Sequence, residues 1–193
     1  MLTKKISTLL VGAGMSLVAH GAAAQEACDF GTPAPGVAET MAAWDFLIGN
    51  HTVDLRLWQD GAWTDPVATA TWNGWWGLGG HAIVDEWFGP QRPDGSPGNN
   101  GVNVRVWDAD AGQWRMTWQQ TRGATAAIYE SQVRDDGFMH MWQTDPAEEQ
   151  ESDAWFEITG DNTWIRVQRT HDENGEWVNQ FRLDATRMPC QPE

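Results

Sequence analysis

The chain has 193 residues, with 27 acidic side chains against 12 basic ones and a formal net charge of −15 at pH 7. A surface of that sign repels phosphate backbones and anionic lipid, so neither nucleic acid nor a membrane surface is an expected partner. The length is that of a single domain with one core, and the two cysteines are too few for a zinc-cysteine site.

Lys4 and Lys5 precede an apolar run from Ile6 to Ala19 that ends in the small residues of "GAAAQ". This is the pattern of a secretory signal peptide spanning residues 1–24, with Ala22 and Ala24 before the cut. A membrane anchor needs about 20 apolar residues without interruption, and Gly12, Gly14 and Ser16 break this run. Both lysines fall in the leader, so the exported chain is more acidic still. A short extension, 25–35, then leads to one domain, 36–188, and a tail, 189–193. The expected location is periplasmic or secreted. There, Cys28 and Cys190 are expected to form a disulfide that ties the two ends of the domain.

From Gly36 to Ile48 the spacing of Val37, Met41, Trp44, Leu47 and Ile48 predicts one short helix. Strands follow. In "FLIGNHTVDLRLW" the residues alternate, and His51 shares parity with Val53, Leu55 and Leu57, which predicts a strand whose imidazole points with the aliphatic side chains. Turn clusters recur from "QDGA" (59–62) to "HDENGE" (171–176), and nine breaks mark ten candidate strands. No helical pattern intervenes to carry parallel crossovers, so the reading is an antiparallel meander. Strands with an oily face, as in Val102, Val104 and Val106 or in Trp114, Met116 and Trp118, must close or double over. The expectation is an all-β, up-and-down barrel of about eight to ten strands, with a two-sheet sandwich as the alternative.

The stretches "FLIGNHTVDLRLW", "GGHAIVDEWFG", "GVNVRVWDADAGQW" and "WIRVQRTHDENGEWVNQFRLDATR" carry a resemblance. Together they resemble the secreted, uncharacterised bacterial branch of the lipocalin-like (calycin) β-barrels, whose members open with Phe-Leu-x-Gly-x-Trp. The resemblance implies a barrel with an internal cavity for a small apolar or amphipathic ligand, and it brings no catalytic residues. The chain departs from that pattern at one place, where His51 stands in the position of the tryptophan.

The candidate ligand-binding residues follow from parity. His51 and His140 are the histidines placed to face an interior, and among the 14 tryptophans Trp75, Trp118 and Trp142 are expected to line it. Glu86 shares parity with Ala82, Val84 and Phe88 and is expected to face inward, with the adjacent Asp85 on the other face. Of Tyr129 and Glu130 in "AAIYES" one must face the interior, and parity does not choose between them. No metal or other cofactor is expected, because the histidines lack ligand spacing, and no serine sits in a Gly-x-Ser-x-Gly elbow. The resulting expectation is a monomeric barrel that binds a small lipophilic or aromatic molecule. The alternatives are an isomerase- or hydratase-type enzyme using an internal His/acid pair on the same barrel, and a structural protein with a filled core.

Overall fold

The computed structural model describes residues 28–92, 94–147 and 152–190. The expected signal peptide, 1–24, lies outside the described residues.

Eleven strands run in chain order: β1 Gly49–Gln59, β2 Ala62–Trp63, β3 Ala68–Gly77, β4 Ala82–Phe88, β5 Asn100–Asp108, β6 Gln113–Gln120, β7 Ala126–Val133, β8 Met139–Asp145, β9 Ser152–Gly160, β10 Thr163–His171 and β11 Trp177–Arg187. Every pairing is antiparallel, and from β3 onward each strand lies beside its successor. β11 returns to β1, with His51 opposite Arg187 at one end and Leu57 opposite Phe181 at the other. The sheet is therefore closed, and ten strands form the wall. β2 is a two-residue extension of the first hairpin, turned by Asp60 and Gly61, both at positive φ, as a tight hairpin turn requires. Closure decides against the sandwich, because a sandwich leaves free edges and this sheet pairs its first long strand with its last.

The helix differs from its expected form. Ala38–Met41 makes one α-helical turn, α1, and Ala42–Leu47 continues as a 3₁₀ segment. Met41, Trp44 and Leu47 are all fully buried. Their three-residue spacing fits the three-residue turn of a 3₁₀ helix, which keeps all of them on one face. That face closes one end of the barrel. Gly74 of β3 makes the fit possible, since a Cβ there would run into the carbonyl of Leu47.

The core fills the helix-capped end. Trp44, Phe46, Trp72, Phe156 and Trp164 form a connected group, with Trp44–Phe156 centroids 5.2 Å apart and Trp72–Trp164 centroids 5.3 Å apart, both edge-to-face. Such pairs contribute about 0.5–1.5 kcal/mol each beyond the area they bury. Chain preceding the helix is strapped to the same end. The Phe30 carbonyl accepts the Trp76 N–H at 2.7 Å, Ala34 N–H donates to Gly80 O at 3.0 Å, and Cys28 is disulfide-bonded to Cys190.

On two strands the aliphatic face is not the inner one. In β5 it is Asn103 and Arg105 that point inward and are buried, while Val102, Val104 and Val106 lie on the outside. β4 is turned to match, with Asp85 opposite Asn103 and Glu86 opposite Val102. Register couples the two strands, so their faces invert together.

Candidate functional site

Beyond the aromatic floor the barrel encloses a cavity of about 630 Å³. Leu55 and Leu57 of β1, Trp72 of β3 and Trp87 of β4 line one side. Met116 and Trp118 of β6 with Tyr129 of β7 line the opposite one, and β9 to β11 contribute a more polar wall that includes Ser152, Arg166, Gln168 and Thr170. Trp118 lies across β5 because its diagonal neighbour there, paired with Gln120, is Gly101, where a Cβ would overlap the indole.

Three charged groups belong to this interior. Arg105 forms a buried ion pair with Asp85, and Asn103 Nδ2 donates to Asp85 Oδ1 at 2.7 Å. The Arg105 guanidinium lies 4.7 Å over the Trp44 ring, which anchors it to the capping segment. Burial first, and then the nearby Arg166, push its pKa down to about 9. Arg166 faces the cavity from β10, over the rings of Phe156 at 5.8 Å and Phe181 at 5.4 Å, and donates through Nη2 to Gln168 Oε1 at 2.7 Å. Burial pushes its pKa down to about 10, with Tyr129 and Asp153 favouring the charged form, so both arginines are cations at neutral pH.

His51 does face the inside of the barrel, as parity predicts, yet it belongs to the floor rather than to the cavity lining. Its ring packs edge-on against Trp164 at 5.6 Å. Nδ1 lies 3.2 Å from the Trp72 carbonyl and donates to it, while Nε2 is buried with no hydrogen-bond partner among the described residues. Burial pushes the imidazole down to about 4, and the positive Arg187 nearby acts in the same direction. His51 is therefore a neutral ring at physiological pH.

Of the other expected residues, Trp118 and Tyr129 line the cavity. Trp75 does not: it shares the outer face of β3 with Gly77, and Trp72 and Trp87 take the lining positions. Glu86 points outward because Ile83, Asp85 and Trp87 form the inner face of β4. Glu130 lies outside as well, with its Oε1 3.4 Å from Arg115 Nη2. His140 and Trp142 are turned outward by the inward methionines Met139 and Met141. His140 Nδ1 lies 3.0 Å from Asp153 Oδ2, and its Nε2 lies 2.8 Å from Asp136 Oδ2. Asp153 also accepts from Arg169 Nη2 at 2.7 Å, and Arg134 lies 5.4 Å over Trp142. The Phe138 N–H, and then the His140 ring, hold Asp136 below the ordinary carboxylate range. The two histidines thus stand on opposite faces of the wall and do not converge. Among the described residues no group of three His, Cys, Asp or Glu side chains is arranged to hold a metal ion.

Asp85, Asn103, Arg105 and Arg166 were not singled out by the sequence. The signal for Arg166 was its shared parity with Trp164; that for Arg105 was its place between Val104 and Val106, and that for Asp85 its shared parity with Ile83 and Trp87 on the adjacent strand.

No family model matches the chain, and no curated protein does. Among solved structures the chain is similar to an S-type phycobiliprotein lyase, CPES, from Guillardia theta, at a TM-score of 0.54 and 8% identity, over 79% of this chain and 94% of that one. The likeness is one of fold alone, and the fold on this side is the closed antiparallel β-barrel described above.

Proposed function

We propose that this protein is a binding barrel for one small lipophilic or aromatic molecule, acting as a monomer in the periplasm or outside the cell. The observation that carries the reading is the cavity of about 630 Å³, walled by Leu, Met and Trp with a few polar groups on one side. Ligand pockets of about 300–1,000 Å³ with that division of surface are the usual small-molecule sites. A filled structural core is disfavoured by the same volume. The Cys28–Cys190 disulfide and the N-terminal pattern of residues 1–24 support an oxidising compartment.

The isomerase- or hydratase-type alternative loses its chemistry. It needs a histidine and an acid facing each other inside. His51 is spent on a backbone carbonyl in the floor, Glu86 faces out, and His140 stands on the outer face.

The test is titration with N-phenyl-1-naphthylamine, an uncharged fluorescent probe, following its emission excited through the tryptophans. Saturable one-to-one binding is expected, and Leu57→Trp, which fills part of the lining, should weaken it at least tenfold. Absence of saturable binding, or equal binding by the filled variant, refutes an interior site.

A further inference from the structure

The cavity is positively charged inside an acidic protein. Its charged lining side chains are Arg105 and Arg166, and the buried Asp85 neutralises Arg105. One cation is left over. Arg166 forms no ion pair among the described residues, and its hydrogen bond goes to a neutral amide oxygen, that of Gln168. Asp153 lies on the other side of the wall, where it already receives Arg169 and faces His140.

A guanidinium in apolar surroundings is costly to keep without a counter-charge, and an aliphatic residue would pack there at least as well. Phe156 and Phe181 hold the Arg166 head group by stacking contacts, which leave its N–H edges for a partner. Depth fixes which end of a ligand arrives there. Arg166 stands opposite Phe156 and Leu183, one inward step above Trp164 of the floor, whereas Gln168 and Thr170 follow toward the end away from the helix. Trp118 and Leu57 line the cavity farther from that floor.

Resting on the interior site proposed above, we infer that the occupant is a lipophilic carboxylate bound head first. Its carboxylate sits on the N–H edge of Arg166, beside Gln168, and its apolar body lies among Trp72, Trp87, Trp118 and Leu57. The planar fork of an arginine matches a carboxylate in two parallel hydrogen bonds, which a hydroxyl or an amine cannot reproduce.

The experiment is calorimetric titration of matched acids and alcohols, dodecanoate with 1-dodecanol and 1-pyrenebutyrate with 1-pyrenebutanol, into the protein and into Arg166→Met and Arg166→Lys. For at least one pair the wild type should prefer the acid about 10- to 100-fold, the scale set by charge-assisted hydrogen bonds. Arg166→Met should abolish that preference with alcohol affinity unchanged, and Arg166→Lys should retain part of it. Equal binding of acid and alcohol by the wild type, or equal loss of both in Arg166→Met, overturns the carboxylate assignment and leaves the interior site standing. Failure of all four probes to bind overturns the interior site and this inference with it. Should Arg166→Met lose its near-ultraviolet circular dichroism, the wild-type preference and the Arg166→Lys variant decide.

Discussion

His51 should make the fold sensitive to mild acid. In the folded protein its ring is fully buried, and burial lowers its pKa from 6.5 to about 4. In the unfolded chain it takes up a proton near the ordinary value. Between those two pH values the unfolded state binds the proton and the folded state does not, so stability is intact above pH 6.5 and falls as the pH drops toward 4. Proton linkage with these two values gives a loss of about 1.3 kcal/mol at pH 5.5 and about 2.5 kcal/mol at pH 4.5, relative to neutral pH. The assay is urea unfolding at pH 7.5, 5.5 and 4.5, run in parallel on the wild type and on His51→Phe. The variant lacks the titrating ring, so its stability should decline less with acid by those amounts, whatever the other groups contribute. Parallel pH profiles for the two proteins, or an NMR titration placing the His51 ring near 6.5, would refute the argument.

Other expectations follow from the packing. Asp85→Ala strands the Arg105 cation in the interior and should cost about 3–5 kcal/mol, with much of the loss recovered in Asp85→Ala/Arg105→Met, as a double-mutant cycle in urea would show. Gly74→Ala pushes the capping segment off β3 and should lower stability by about 1–3 kcal/mol, together with a change in tryptophan emission from Trp44 and its neighbours. Reducing the Cys28–Cys190 bond should lower the melting temperature, by at most the equivalent of about 5 kcal/mol, and leave far-ultraviolet dichroism intact, because the ladders do not depend on it.

The architecture was legible in the sequence because it rests on local signals. Turn residues at regular spacing and the absence of a helical period leave an antiparallel meander, and the short helix announced itself through Met41, Trp44 and Leu47. Which way the side chains of β4, β5 and β10 face was less legible, for a physical reason. β-branched residues favour strands because they pack against lateral neighbours on either face, so Val104 or Val167 marks a strand without marking the inside. Val167 is nearly buried, yet it lies on the outer face, opposite Trp155 and Arg182. Beside its leucines, aromatics and methionines, the interior holds two arginines and one aspartate that a hydrophobic reading assigns to solvent. The parity of His51 was read correctly; its distance from the cavity was not, because that depends on how far the capping segment descends into the barrel.

Closure of the sheet by β1 and β11, with Cys28 and Cys190 Cα atoms 5.5 Å apart, makes the wall a ring with no natural starting strand. Every long strand has a neighbour on both sides, and the places where the chain is cut are set by connectivity rather than by architecture. A circular permutant that links residue 190 to residue 28 through a few glycines and opens between Phe88 and Asn100 would carry the same pairings in the same register. The wall would then be identical, while the chain would emerge from synthesis in a different order.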